Sequence, residues 1–170
     1  MTVGIGSYDT SRLRVVEWRS RGDDVLLQWL SSALTEGVTH ELPPSWQGEL
    51  LPTPLEWVAI RDEEGSFFLV EEKSGGGIVG LFMFFPREVE VNTDEVRIGY
   101  VMGEEAWGKG YATEIVQGFV TMWHDTGFTG SLLGMVSPSN QASCRVLEKS
   151  GFLVDGKNGD ILRYRYQAGS

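Results

Sequence analysis

Two glycines flanking a lysine, Gly108-Lys109-Gly110, lie between a strand-like run at residues 96–102 and a strongly helical pattern that begins with Tyr111-Ala112-Thr113-Glu114. A turn that joins a strand to a helix N-terminus leaves backbone N–H groups without intrahelical acceptors, and the helix dipole adds partial positive charge there. Glycines lacking a Cβ let such a backbone come close to an anion, and Lys109 adds a cation between them. The chemistry on offer is phosphate binding or, on the plainer reading, only a tight turn. Neither common phosphate loop fits the letters. Counting from Gly108, Thr113 stands where G-x-G-x-x-G needs its third glycine, and G-x-x-x-x-G-K-[ST] is absent.

Other reactive side chains are sparse. His40 and His124 have no second histidine or cysteine at ligand spacing, so no metal site is expected. Cys144 is the single cysteine. With no base beside it in the sequence, it is expected to be a small packed side chain rather than a nucleophile, and a lone cysteine fits a reducing, cytoplasmic setting. The N-terminus has no basic start followed by an apolar core, and no run approaches the ~20 apolar residues of a membrane span, so neither secretion nor membrane insertion is expected. A net charge of −10, from 24 acidic against 14 basic residues, opposes binding to nucleic acid and favours a basic or amine-bearing partner.

The elements that must hold the glycine turn follow from periodicity. Residues 13–18 read as a first strand, Asp23 or Asp24 caps a helix running to about Glu36, and Gly37 to Pro52 reads as an irregular loop containing His40 and Trp46. Thr53-Pro54 opens a helix that ends near Gly65. Ser74-Gly75-Gly76-Gly77 is a hairpin tip between strands at 66–71 and 78–85. In the strand before the glycine turn, Val96, Ile98, Tyr100 and Met102 share one face. Ala112, Ile115, Val116, Phe119, Val120 and Trp123 then form the apolar stripe of an amphipathic helix stopped by Gly127. A strand at 132–136, a helix opening after Asn140, and strands at 152–154 and 161–166 complete the chain. At 170 residues, this order describes one α/β (α+β) domain spanning 1–170.

The turn Trp107-Gly-Lys-Gly-Tyr-Ala112, followed after a helix and a strand by Asn140-Gln-Ala-Ser-Cys-Arg-Val-Leu-Glu-Lys-Ser-Gly-Phe152, resembles the GNAT superfamily of N-acetyltransferases, and most closely its RimJ/RimL-like branch. Gly110 and Ala112 fill the G-x-A part of the family's loop, and Trp107 stands where Gln or Arg is frequent. The resemblance implies a mixed, mostly antiparallel twisted sheet with about four flanking helices and a splayed central strand pair. It implies an acetyl-CoA co-substrate and no metal. The cofactor-binding residues it implies are Trp107, Gly108, Lys109, Gly110, Tyr111, Ala112 and Thr113 at the pyrophosphate, with Tyr100, Val101 and Met102 along the pantetheine arm. Asn140 and Ser143 lie near the thiol end; the plainer alternatives are an N-cap for Asn140 and a small packed helix residue for Ser143.

For catalysis, the resemblance implies a backbone N–H near Tyr100 as oxyanion donor and Ser143 as the proton source for the leaving thiolate. Leu147 occupies the position where many relatives place a tyrosine. A thiolate with a pKa near ~8.5 needs little acid help, so Ser143 or water suffices. The branch often has a carboxylate where this chain has Arg97, which leaves Glu95, on the same strand face, as a base acting through water or simply an exposed strand residue. An α-amine, with a pKa of about 7.7–8.0, needs less base than a lysine at about 10.4. The expected acceptor is therefore a primary amine, on a peptide N-terminus or a small molecule, and the expected assembly is a monomer or homodimer. A non-catalytic acyl-CoA-binding module and a transferase for longer acyl-CoAs are the competing readings.

Overall fold

The computed structural model describes residues 2–3, 5–42, 54–85, 89–90 and 95–167. Among the described residues ten strands and five α-helices follow one another: β1 (Thr2–Val3), β2 (Tyr8–Asp9), β3 (Leu13–Glu17), α1 (Asp23–Ala33), α2 (Glu36–Glu41), α3 (Pro54–Glu64), β4 (Ser66–Glu72) and β5 (Ile78–Phe85). They continue with β6 (Val89–Glu90), β7 (Glu95–Met102), α4 (Tyr111–Asp125), β8 (Ser131–Val136), α5 (Gln141–Lys149), β9 (Leu153–Asn158) and β10 (Ile161–Gln167). Eight strands form one sheet in the order β2-β3-β4-β5-β7-β8-β10-β9, and β1 pairs with β6 apart from it. Among the described residues of the large sheet, β7 and β8 run parallel and the other pairs antiparallel, as expected for strands joined through a helix.

Both faces of this sheet are covered, and strand periodicity decides which residue serves which face. Phe68 and Val70 of β4, Phe82 and Phe84 of β5, and Val96, Ile98 and Met102 of β7 pack with Ile115, Val116, Phe119 and Trp123 of α4. The alternate residues Phe67, Leu69, Leu81, Met83 and Val101 pack with Leu26 and Leu30 of α1, Val38 of α2 and Trp57 and Val58 of α3. Double coverage explains why β4 and β5 read as continuous apolar runs rather than alternating ones. Phe119 meets Phe82 at a ring-centroid distance of 4.9 Å and Trp123 stacks on Phe128 at 4.4 Å, fixing α4 against the centre of the sheet.

Three expectations change. The first helix ends at Ala33 rather than near Glu36, and its N-cap is Gly22, with Asp23 and Asp24 inside the first turn. Residues 36–41 form the short helix α2 instead of loop, capped by the Thr35 hydroxyl, which accepts from the Val38 N–H. Trp46, the Thr53 cap and the rest of the expected loop lie outside the described residues.

Candidate functional site

The parallel ladder between β7 and β8 is short. It pairs Glu95–Ile98 with Ser131–Gly134 and then stops. Beyond Ile98, β7 runs on to Met102 beside β5, while β8 continues to Val136 beside β10. The register identifies which backbone groups the gap exposes. Gly103 N–H donates to the Val79 carbonyl at 3.0 Å, so the odd-numbered residues of β7 bond to β5 and the even-numbered ones turn toward β8. Tyr100 and Met102 therefore direct their main-chain groups into the opening. Trp107 Nε1 donates to the Met102 carbonyl at 3.1 Å, and the Tyr100 N–H and Met102 N–H face the gap.

Four residues downstream of Gly103 the chain enters the glycine turn. Gly108 and Gly110 have φ of 75° and 78°, left-handed conformations that glycine adopts without penalty. Gly110 is the N-cap of α4 and supplies no side-chain cap, and the first helical bond runs from the Glu114 N–H to the Gly110 carbonyl at 3.1 Å. The N–H groups of Tyr111, Ala112 and Thr113 are thus without helical acceptors at the positive end of a 15-residue helix. A Cβ on Gly108 would meet nothing within 4 Å, so the space over the turn is open to a ligand.

The turn is held from outside. Glu114, in the first turn of α4, accepts from Thr10 Oγ1 at 2.5 Å, from the Arg12 backbone N–H at 2.7 Å and from Arg12 Nε at 2.7 Å. Burial works to raise its pKa, but these hydrogen bonds outweigh burial and leave the carboxyl below its ordinary value. The Arg12 guanidinium lies 4.5 Å from the centre of the Tyr111 ring, and Lys109 Nζ lies 5.8 Å from the same ring.

A third segment reaches the site from α5. Asn140 caps this helix, its Oδ1 accepting from the Ser143 N–H at 3.1 Å. The capping role is therefore observed, and the amide Nδ2 makes no hydrogen bond among the described residues. Tyr100 Oη is buried, with the Ser143 side chain as its polar neighbour and no hydrogen bond of normal geometry among the described residues. Burial pushes the Tyr100 phenol up to about 12, while the neighbouring Ser143 side chain pulls it partly back and Cys144 raises it.

These segments line one cleft of about 450 Å³. It collects Tyr100, Val101 and Met102 from β7, the turn from Trp107 to Thr113 except Lys109, and Asn140 and Ser143 from α5. Two of the expected residues stand elsewhere. Lys109 is exposed beside Tyr111. Glu95 begins β7, five residues or roughly 16 Å below Tyr100, and is ion-paired to Arg165 Nη2 at 2.7 Å. The cleft also has a wall that no motif announced: Val38, Glu41 and Leu42, at the end of α2. Glu104, just beyond β7, accepts from the Thr35 hydroxyl at 2.5 Å and so ties α2 to the site. Among the described residues no group of three or more acidic, histidine or cysteine side chains could hold a metal ion.

The sequence model of the acetyltransferase (GNAT) domain matches residues 12–153. The uncharacterised protein YkkB of Bacillus subtilis (strain 168) is 33% identical over 101 residues, 56% of this chain and 58% of that protein, so the match spans little more than half of either. The fold is similar to that of the ribosomal-protein-S5-alanine acetyltransferase of Vibrio fischeri, with a TM-score of 0.72 and 16% identity over 97% of this chain and 98% of the other. It is similar also to AAC(6')-Ib in complex with ribostamycin and coenzyme A, with a TM-score of 0.68 and 17% identity over 94% of each chain.

Proposed function

The chain belongs to the acetyltransferase (GNAT) domain family, and from that premise we propose that it moves the acetyl group of acetyl-CoA to a primary amine by direct attack within a ternary complex. The observation that carries this reading is the meeting, in one cleft, of an uncapped helix N-terminus behind a left-handed glycine turn with the exposed backbone of a splayed strand. The first suits a pyrophosphate. The second suits an extended, amide-bearing arm that pairs with a strand edge.

Holding thioester and amine in line makes their encounter effectively unimolecular. The Tyr100 and Met102 N–H groups in the gap are placed to polarise the thioester carbonyl as its oxygen gains charge. Asn140 and Ser143, on the α5 wall, are assigned to the thiol end. Trp107, with Gly108, Gly110, Tyr111, Ala112 and Thr113, receives the phosphates, and Val101 packs beneath the arm.

The acceptor amine enters, on this reading, from the α2 side, where Glu41 is the carboxylate on the cleft wall. It attracts an ammonium group and accepts its proton through water, a role that Glu95, paired with Arg165 at the other end of β7, is not placed to fill. One structural neighbour is named for an alanine of ribosomal protein S5, and another's complex holds the small molecule ribostamycin. Both acceptor classes, peptide N-termini and small amines, follow as candidates.

Release of free thiol from acetyl-CoA, measured across a panel of peptide N-termini and small amines, tests the proposal. Turnover that requires a particular amine is expected. CoA binding with no amine-dependent thiol release from acetyl-CoA or a longer acyl-CoA would instead identify a non-catalytic acyl-CoA-binding module.

A further inference from the structure

Glycine is a poor helix former, yet the six-residue α2 carries Gly37 in its first turn. Its surroundings show what the missing side chain leaves room for. A Cβ on Gly37 would overlap Glu104 Oε1 and lie 3.6 Å from Trp107 Cη2. The same Glu104 oxygen accepts from the Thr35 hydroxyl at 2.5 Å, so one carboxylate meets both the cap of α2 and its bare face. Glu104 also opens the short 3-10 turn, Glu104–Ala106, that carries β7 toward the glycine turn. There the Trp107 N–H donates to the Glu104 carbonyl at 3.0 Å, and Trp107 Nε1 donates to the Met102 carbonyl at 3.1 Å. The segment assigned to the cofactor and the wall assigned to the acceptor are joined through Glu104.

Val38 and Leu42 hold α2 against the core. Apolar packing is non-directional, however, and by itself fixes the rotation of a short helix only weakly. Residues four apart share one helix face, so the face that Gly37 turns to Glu104 is also the face that brings Glu41 to the cleft. We propose that Glu104 is a positioning residue for the acceptor amine: through Thr35 and the face that Gly37 leaves bare, it fixes the rotation of α2 and so sets where Glu41 meets the amine. The inference rests on the amine-transfer reading above and adds Glu104, Thr35 and Gly37 to the residues that decide amine affinity. Glu104 takes no part in the chemistry. Its effect is read in amine recognition rather than in CoA binding.

The test pairs kinetics, with the fastest acceptor from the thiol-release panel at saturating acetyl-CoA, with amide hydrogen exchange of residues 36–42 in the CoA complex. Glu104→Ala should raise the KM for the amine roughly tenfold, with CoA affinity within about twofold of wild type. Glu104→Gln keeps an oxygen that can accept from Thr35 and should recover most of the loss. Gly37→Ala pushes the carboxylate aside, so it should raise the amine KM like Glu104→Ala, yet add nothing in the Glu104→Ala background, where the obstructed group is gone. Because alanine favours a helix over glycine, Gly37→Ala should leave Tm unchanged or higher, a split from KM that a merely structural role would not give. Exchange at residues 36–42 should quicken in Glu104→Ala and remain slow in Glu104→Gln, and this readout needs no acceptor. An unchanged amine KM or unchanged exchange in Glu104→Ala would overturn the proposal. So would a Gly37→Ala effect that persists at full size without Glu104, or CoA affinity lost in step with amine KM. A wild type that binds CoA but turns over no amine would sink the amine-transfer reading and this proposal with it, an outcome separate from wild-type turnover that Glu104→Ala leaves intact.

Discussion

Gly110 joins the sequence motif to the chemistry at the scale of single residues, since its φ of 78° aims the free N–H groups of α4 at the cleft. A β-branched residue in that conformation is strained by about 1–3 kcal/mol. A Cβ there would sit 3.6 Å from Arg12 Nη2, an ordinary contact, so steric collision is not the main effect. Gly110→Val is expected to lower CoA affinity at least roughly tenfold by turning the N–H groups away, which calorimetry would measure. Glu41→Gln should leave the KM for acetyl-CoA unchanged and reduce kcat/KM for the amine, most at low pH where the acceptor is protonated. Equal losses at all pH values would show that Glu41 does not handle the proton. The glycine turn, Asn140 and Ser143, which the structure brings to one cleft, are each a local pattern tied to one helix start and so could be picked out in the letters. Glu41 could not, because it reaches the cleft only through the packing of α2, and nor could the distance of Glu95 from the cleft, because strand alternation reports a face but not a height along the strand.

Among the elements, the hairpin of β2 and β3 clamps α4, with Thr10 and Arg12 both bound to Glu114. Because the folded carboxyl lies below its ordinary value, the clamp stabilises the protein fully above the unfolded carboxyl pKa of ~4.3 and is lost as pH falls through the depressed folded value. Glu114→Gln should therefore lower Tm at neutral pH, and the gap from wild type should close in acid below that range. A gap that persists in strong acid would place the effect in packing instead. Most elements could be read from the chain: β4 and β5 as apolar runs around a glycine tip, and α4 from its stripe. The short α2 escaped because six residues including Gly37 carry little helical signal, and what holds it is tertiary: Val38 in the core beneath it and Glu104 bonded to its Thr35 cap. The splay of β7 from β8 was expected only through family resemblance, since no side-chain pattern encodes where a parallel ladder ends.

The molecule as a whole carries a net charge of −10 yet is proposed to bind a polyanionic cofactor, so attraction at the site must be local, from the start of α4 and the nearby Lys109 and Arg12. Added salt should then speed CoA association by screening the global repulsion, while kcat/KM for a cationic acceptor should fall. Stopped-flow binding and steady-state rates across an ionic-strength series would show opposite slopes, and parallel slopes would contradict the division into a phosphate end and an amine end. The cleft as a CoA site is the claim on which the rest depends, and calorimetric titration of the wild type and Gly110→Val with CoA addresses it most directly. One CoA per wild-type chain, with clearly weaker binding by the variant, is the predicted result; no heat from the wild type at high micromolar CoA, or equal affinity in the two proteins, would contradict it.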